Sequence, residues 1–382
     1  MIRHALWRAA VAAALLMTTH AHAADAPKSY PIGAILAMSG QASWYGQVMS
    51  QGIKQAVDEI NAKGGIDGVP LEIFIEDHKG GGGQEGVAAM NRLLSLHHVK
   101  AVLTSFSAPT LGIAPIADQE KILLVNGGGV SNSLVGLSKY LFHIRSLASD
   151  LGRAAITEAH DMNLKKLAQL HWKNDAGDSI VHAVVPAWEK MGGKIVATEA
   201  VPQGATNIDT QIAKVRAANP DVIGVWMFTP ESGLGVKRIR EFGMKQPVIG
   251  VEFTGNDAKI AGASAEGYLY VNDYFAPSGD NPWSKQFAEG YKKRYGADPE
   301  FYAANYYEGT YMIAELIRRA KAKGGDYWNG EAMRQALWEK PTFDSVYGKT
   351  MTFQENGVAL KRVGLFKVED GKGKFEKFLE AK

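Results

Sequence analysis

Two serines occupy the positions in this sequence that are best suited to bind a carboxylate. Ser105 and Ser107 directly follow a predicted strand at residues 101–104 and open a predicted helix. Backbone N–H groups at the start of a helix attract anions, and serine hydroxyls beside them add further donors. The plainer interpretation is that these hydroxyls only cap the helix. The segment therefore indicates a site that binds a carboxylate group of a ligand.

To bind an α-amino acid, a protein also needs an acidic side chain close to the ammonium group of the ligand, and Glu252 is the candidate. This residue directly follows a predicted strand at residues 248–251. Hydrogen bonds between charged groups are the strong ones in a cleft that excludes water. The alternative is a carboxylate on a solvated loop. With a carboxylate acceptor at one end and Glu252 at the other, the sequence is compatible with an amino-acid ligand.

Aromatic residues occupy the same kind of position after predicted strands. Trp44 and Tyr45 lie between the first strand and the first helix, and Phe106 lies between the two serines. In the second half, Trp172 ends one predicted strand and Phe228 follows another. For Phe228 a place in the core is an equally good interpretation. Together these rings could form an aromatic box for a flat acid without an amine. The ligand class stays open between an amino acid, which we place first, and an aromatic or other small carboxylic acid.

A glycine-rich loop adds backbone to the same region. A predicted strand at residues 122–125 runs into NGGGVS, where Gly128 and Gly129 allow a ligand to approach the backbone closely. Ser131 at the end of this loop could supply a hydroxyl. Tyr302, near the start of a predicted helix at residues 301–321, could touch the cleft from another direction.

The sequence shows no motif that is typical of a catalytic site. It contains no H-E-x-x-H, no G-x-S-x-G, no G-x-G-x-x-G after the first strand and no cysteine. We therefore predict no enzyme activity, no metal site and no cofactor. Because catalytic residues can cluster in space without a sequence motif, an exported hydrolase remains an alternative.

The elements that must position these residues alternate along the chain. The stretch from Tyr30 to Asp77 reads as a strand, a helix and a second strand, with apolar residues at helical spacing between residues 47 and 62. The second half repeats this order, with strands at residues 167–172, 222–227 and 248–251. This alternation predicts an α/β fold with parallel sheets flanked by helices. Ligands of such sheets bind at the carboxyl ends of the strands, which is where the candidate residues lie.

Three short motifs resemble a known family. MSG at residues 38–40, YG at residues 45–46 and INAKGGIDG at residues 60–68 are similar to the leucine/isoleucine/valine-type periplasmic solute-binding proteins of ABC importers. The resemblance extends over essentially the whole mature chain. It implies a type I periplasmic-binding fold, in which two Rossmann-like lobes are joined by three hinge crossings around a ligand cleft. Residues 24–147 and 276–356 would form lobe 1, and residues 148–275 and 357–382 lobe 2.

The resemblance also implies roles for single residues. It favours Ser107, and Ser105 as a second choice, as the residue that binds the ligand carboxylate. It favours Glu252 as the residue that binds the amino group. The sequence departs from the family at Val130, where a hydroxyl residue is usual, and at Ala176, where a stacking tyrosine is usual. Ser131 and Trp172 are the available substitutes. The implied function is the capture of a small solute and its delivery to the membrane permease of an ABC transporter, or alternatively the sensing of a periplasmic ligand.

The first residues read as a secretion signal. Arg3 and Arg8 precede an apolar run at residues 9–17, and Ala21-His22-Ala23 matches a cleavage site. We expect residues 1–23 to be removed and the product to reside in the periplasm, without a lipid anchor because cysteine is absent. Loss of the two arginines leaves 40 basic residues against 40 acidic ones. This balance argues against nucleic acid as a partner, and we expect a monomer.

Overall fold

The computed structural model describes residues 27–277, 280–348 and 350–379. The predicted signal segment at residues 1–23 lies outside the described residues. Strands and helices alternate in the first part of the chain. Their bounds are β1 (Tyr30–Leu36), α1 (Ser43–Ala62), β2 (Leu71–Asp77), α2 (Gly83–His97), β3 (Ala101–Thr104), α3 (Ser107–Glu120), β4 (Leu123–Asn126) and β5 (Leu141–His143).

The same alternation continues in the second part. Its elements are α4 (Ala148–Asp161), β6 (Lys166–Trp172), α5 (Asp175–Lys190), β7 (Lys194–Val201), α6 (Asp209–Ala217), β8 (Val222–Trp226), α7 (Glu231–Glu241), β9 (Val248–Gly250), α8 (Gly255–Ala261) and β10 (Leu269–Asp273). The last part holds three helices and four strands. They are α9 (Pro282–Tyr295), α10 (Phe301–Ala322), α11 (Gly330–Glu339), β11 (Thr342–Asp344), β12 (Thr350–Thr352), β13 (Val363–Glu369) and β14 (Lys372–Leu379).

The strands form two large sheets. The first is parallel throughout, in the order β2-β1-β3-β4-β5, and the second has the order β14-β13-β10-β9-β8-β6-β7 with an antiparallel hairpin at one edge. β1 is buried on both faces, because Ile32 packs in one apolar cluster and Ile35 in the other. A strand covered by helices on each side must be apolar on each side. The predicted α/β fold with parallel sheets is therefore confirmed.

The two sheets belong to two lobes. Lobe 1 carries the five-stranded sheet and is completed by α10, which packs along α1, while lobe 2 carries the seven-stranded sheet. The chain passes between the lobes three times, from β5 to α4, from β10 to α9 and from β12 to β13. The lobe boundaries given above fall in these connections, and they remain predictions. Among the described residues, no helix is long and apolar enough to cross a membrane.

Buried polar contacts join the first connection to the start of the second, and the third connection to lobe 1. The backbone N–H of Ser146 in the first connection donates to Asp273 Oδ1 at the end of β10, at 3.1 Å. Lys361 in the third connection pairs with Glu308 of α10 at 3.0 Å, and its side chain is only 2% exposed. Since a buried ion pair is costly to separate, the third connection is held against α10.

Candidate functional site

A cavity lies between the lobes, at the carboxyl ends of the strands. Its volume is about 60 Å³, whereas one ordered water needs roughly 10 to 15 Å³. Side chains and backbone of both lobes form its walls. Lobe 1 supplies Tyr45, Gly81, Phe106, Ser107, Ala108, Pro109, Gly128, Gly129, Val130 and Tyr302, and lobe 2 supplies Trp172, Asn174, Asp175, Ala176, Gln203 and Phe228.

Most of the residues singled out in the sequence meet in these walls. The structure brings together Tyr45, Phe106, Ser107, Gly128, Gly129, Trp172, Phe228 and Tyr302. The four others, Trp44, Ser105, Ser131 and Glu252, lie outside the walls. Their positions are explained by the contacts that each of them makes elsewhere.

Ser107 is the hydroxyl best placed to meet a carboxylate. Its Oγ accepts the backbone N–H groups of Val130 at 3.2 Å and of Ser131 at 3.1 Å, so the hydroxyl hydrogen is left to donate elsewhere. Ser107 is also the first residue of α3, whose N-terminus has no side-chain cap. The N–H groups of this first turn therefore add positive partial charge to the wall.

Phe106 enters α3 in a strained conformation. Its φ of +46° and ψ of 146° lie where residues other than glycine are uncommon. Such strain persists only where the surrounding structure holds it, and it is frequent at ligand sites. Here the ring packs edge-on against Tyr45 with centroids 5.3 Å apart. The strained residue thus brings an aromatic wall and the start of α3 to the same side of the cavity.

Ser105 and Ser131 do not reach the cavity because their hydroxyls are engaged inside lobe 1. Ser105 Oγ donates to the carbonyl of Ile35 at 3.0 Å and bonds to His78 Nε2 at 2.9 Å. Ser131 Oγ accepts the N–H of Ser133 and caps a short 3₁₀ turn. Ser131 therefore lies outside the cavity wall, and its substitution for the hydroxyl missing at Val130 stays a prediction.

Trp44 and Tyr45 were expected on a loop, but they lie in the first turn of α1. The helix begins at Ser43, four residues before the predicted start. A turn leads into the helix, in which the N–H of Ser43 donates to the carbonyl of Gly40 at 3.1 Å. Tyr45 consequently faces the cavity, and Trp44 packs edge-on behind it at 5.2 Å between centroids.

Glu252 lies behind the wall, in the interface of the lobes. Its side chain is 0% exposed. Tyr45 Oη donates to Glu252 Oε1 at 2.9 Å, and Tyr302 Oη donates to Oε2 at 2.7 Å. Both tyrosines belong to lobe 1 and Glu252 belongs to lobe 2, so the carboxylate joins the lobes.

Further donors extend this group of residues on both sides. The N–H of Thr229 donates to Tyr45 Oη at 2.9 Å, and Arg145 Nη1 donates to Tyr302 Oη at 3.1 Å. Burial raises the pKa of Glu252 to about 8, although the charge of Arg145 and the tyrosine hydrogen bonds act in the opposite direction. A buried polar chain thus runs from the first connection, through α10 and Glu252, to the loop after β8.

Aromatic rings cover much of the remaining wall. Trp172 packs on Phe228 with centroids 5.1 Å apart, and its Nε1 donates to Glu231 at 3.1 Å. On the opposite side Tyr302 packs edge-on against Tyr45 at 5.0 Å. In the described part of the chain, no group of three or more His, Asp or Glu residues is arranged to hold a metal ion. The walls can hold an apolar body with one polar end.

A family model described as "Periplasmic binding protein" matches residues 29–373 of this chain. The chain belongs to the periplasmic binding protein family. Among its relatives in this family is "Leu/Ile/Val-binding protein homolog 3" of Brucella melitensis, which is 26% identical over 353 residues, or 89% of this chain and 92% of that protein. The "Leu/Ile/Val-binding protein" of Escherichia coli is 28% identical over 243 residues, or 62% of this chain and 66% of its own.

Solved structures show the same fold. The branched-chain amino acid transporter substrate binding protein LivJ from Streptococcus pneumoniae, in complex with isoleucine, has a TM-score of 0.83 and is 23% identical, covering 92% of this chain and 100% of that one. An ABC transporter solute binding protein of R. palustris, in complex with benzoate, also has a TM-score of 0.83 and is 17% identical, covering 92% and 96%. Both support the two-lobe architecture.

Sequence reasoning missed three polar residues of the wall, Asn174, Asp175 and Gln203. Asn174 caps α5 by accepting the N–H groups of Ala176 and Gly177, each at 3.1 Å. Its place just after a strand was a signal that could have found it. Gln203 follows an edge strand and donates to the carbonyl of Gly80 in lobe 1 at 3.5 Å. Nothing in the local sequence marks Gln203, because its role depends on how the lobes meet.

Proposed function

We propose that this protein is the solute-binding component of an ABC importer, which encloses a small carboxylate-bearing solute, an amino acid in the first place, and delivers it to a membrane permease. The observation that carries this proposal is the cavity whose walls come from both lobes, with the hydroxyl of Ser107 and the uncapped start of α3 on one side. The names of the Leu/Ile/Val-binding relatives support the choice of an amino acid.

The part of the wall formed by Tyr45 and Tyr302 suits an ammonium group. Such a group would first meet Tyr45 and Tyr302, whose hydroxyls both donate to the carboxylate of Glu252. Aromatic faces attract cations, and the charge of Glu252 lies directly behind them. We therefore propose that Glu252 is the counter-charge of an amino-acid ligand.

A second candidate is an aromatic or other small carboxylic acid. It is favoured by the five aromatic side chains in the walls and by the position of Glu252 outside them. The carboxylate of such a ligand would bind Ser107 and the start of α3 in the same way. The ligand would need no acidic side chain of the protein, because it has no ammonium group. The R. palustris protein in complex with benzoate has the same fold.

We also propose that the solute leaves the protein unchanged and that the mature chain is a periplasmic monomer beginning at Ala24. The signal-like residues 1–23 support export. A role as a periplasmic ligand sensor would use the same cavity, and only the partner that recognises the closed form would differ.

Calorimetry with matched ligands tests the proposal. L-leucine should bind to the mature protein, and Glu252→Gln should weaken its binding by about 1.5 to 3 kcal/mol, because a hydrogen bond to a charged group is lost. The control ligand is 4-methylpentanoate, which has the carboxylate and side chain of leucine but no ammonium group. Its affinity should change much less in the same variant.

Two results would redirect the assignment. Binding of benzoate or 4-hydroxybenzoate without binding of leucine, isoleucine or valine would select the second candidate. Conversion of any bound solute into a product, beyond stoichiometric amounts, would contradict a receptor altogether.

A further inference from the structure

Glu252 is buried between the lobes, and the positive charge of Arg145 reaches it only through the hydroxyl of Tyr302. It is 0% exposed, and it forms no ion pair with any Lys, Arg or His in the part of the chain that the structure describes. Glu308, which is equally deep, is paired with Lys361 at 3.0 Å. Removing an ionised carboxylate from water without a counter-charge is costly. Glu252 and Glu308 therefore face different electrostatic conditions.

The burial of Glu252 depends on closure. Its two hydrogen-bond partners, Tyr45 and Tyr302, are carried by α1 and α10 of lobe 1, while Glu252 itself follows β9 of lobe 2. When the lobes separate, both contacts break and water reaches the carboxylate. Closing the lobes reverses this and leaves two neutral O–H groups as the direct partners of Glu252.

The charged and titratable groups around Glu252 come from six places in the chain. They are Tyr45 of α1, Tyr302 of α10, Arg145 of the first connection, Asp257 of α8, Tyr268 before β10 and Tyr270 in β10. Arg145 favours the ionised form of Glu252 and Asp257 opposes it. Burial is the largest effect, and it raises the pKa of Glu252 to about 8.

We propose that closing of the two lobes neutralises Glu252, either by uptake of one proton or by an ammonium group that the solute brings. The second alternative rests on the proposed function, whereas the first does not. The proton and the ammonium group compete for one carboxylate. An ammonium-bearing solute closes the lobes with Glu252 ionised, and an ammonium-free solute closes them with Glu252 protonated.

The direction of the pH dependence follows from this competition. In the open state Glu252 meets water and titrates near the ordinary value of 4.5, and in the closed state its pKa is about 8. Between these values the closed state holds one proton more than the open state. Closure without an ammonium group is therefore most favourable at low pH, weakens as pH rises through this range and becomes independent of pH above it.

Distance measurements between the lobes test the proton uptake without any ligand. The chain contains no cysteine, so Ser95→Cys on α2 and Lys190→Cys on α5, both exposed, can carry a pair of spin labels. The ratio of the short to the long distance should fall by about tenfold or more between pH 6.5 and pH 8.5. In the same protein with Glu252→Gln, which is neutral at every pH, the ratio should not change.

A control variant separates this effect from titration elsewhere. Glu231 is also buried and its pKa is also raised by burial, but its partners Trp172 and Gly204 belong to its own lobe. Glu231→Gln should therefore keep the pH profile of the unaltered protein. A distance ratio that does not depend on pH, or a pH profile retained by Glu252→Gln, would overturn the proposal.

Calorimetry in buffers of different ionisation enthalpy tests the competition. Near pH 7, binding of 4-methylpentanoate should take up about one proton and binding of L-leucine close to none. Equal uptake with both ligands would contradict the competition. If the protein binds neither ligand, the proposed function fails, while the distance measurement still decides whether closure takes up a proton.

Discussion

Ser107 serves the fold and the cavity with one side chain. Its Oγ holds two backbone N–H groups of the loop after β4, and the same loop supplies Gly128 and Gly129 to the cavity wall. Because both lone pairs of the hydroxyl are used in this way, its hydrogen points elsewhere. The residue therefore sets the shape of the wall as well as its chemistry.

Replacement of Ser107 by alanine tests the carboxylate site. We expect Ser107→Ala to weaken solute binding by about 1 to 3 kcal/mol, because a donor is lost and two N–H groups lose their acceptor. Ser105→Ala is the matched control, since that hydroxyl donates to Ile35 inside lobe 1. The control should lower the free energy of unfolding by about 1 kcal/mol and leave affinity unchanged. Equal effects of both variants on affinity would contradict a direct role for Ser107.

Single residues could be predicted where position along a strand decides their place. Ser107, Tyr45 and Phe228 lie in segments that follow strands, Trp172 is the last residue of β6, and all four lie in the cavity wall. Glu252 also follows a strand, but its partners lie 207 and 50 residues away in the sequence. The local sequence pattern indicates at which end of a sheet a side chain lies. It does not show which side chain of the other lobe will cover it.

The element that connects the cavity to the rest of lobe 1 is α10. Tyr302, Asn305 and Glu308 follow one another at helical spacing along one face. Tyr302 bonds to Glu252, Asn305 Nδ2 donates to the carbonyl of Gly127 at 3.0 Å, and Glu308 pairs with Lys361. One helix face therefore contacts the cavity, the glycine-rich loop and the third connection. The sequence predicted the helix and a contact of Tyr302 with the cleft, but it did not indicate the contacts of Asn305 and Glu308.

The close approach of α10 to α1 depends on a glycine. A Cβ added at Gly52 would overlap the carbonyl oxygen of Ala303. We expect Gly52→Ala to lower the free energy of unfolding by about 1 to 3 kcal/mol, because the helices must move apart. Gly83→Ala in α2 is the control, since the nearest atom to the added Cβ lies 3.5 Å away. Chemical denaturation measures both, and a Gly52→Ala protein as stable as the control would contradict this account.

Element types were easier to predict than element ends. The strand, helix and strand from Tyr30 to Asp77 follow from apolar periodicity, because each buried face demands apolar side chains at a fixed spacing. The start of α1 at Ser43 did not follow from periodicity, because its first turn contains a glycine and two aromatic residues that a loop would also carry. α8 is short and was not predicted at all. Its capping box at Thr254 and Asp257 was the available signal.

At the scale of the molecule, the lobes touch through a few polar contacts around the cavity. Besides Glu252 with its tyrosines, the N–H of Gly255 in lobe 2 donates to Glu300 of lobe 1 at 2.9 Å. The N–H of Asn132 donates to Ser179 Oγ at 2.9 Å beside the first connection. We expect the three connections between the lobes to favour opening and closing about one axis. A solute between the lobes gains contacts with both walls only in the closed form.

Solution scattering measures this closure. Because a solute that contacts both walls binds the closed form more tightly, it must shift the open population toward the closed one. We expect the radius of gyration of the mature protein to fall when the solute identified by calorimetry reaches saturation, and to stay constant with an equal concentration of sodium chloride. Ser107→Ala should show the same decrease, displaced to a higher solute concentration, because the variant weakens binding and leaves the connections intact. A radius of gyration that is unchanged at saturation would rule out closure as the way in which this protein holds its solute.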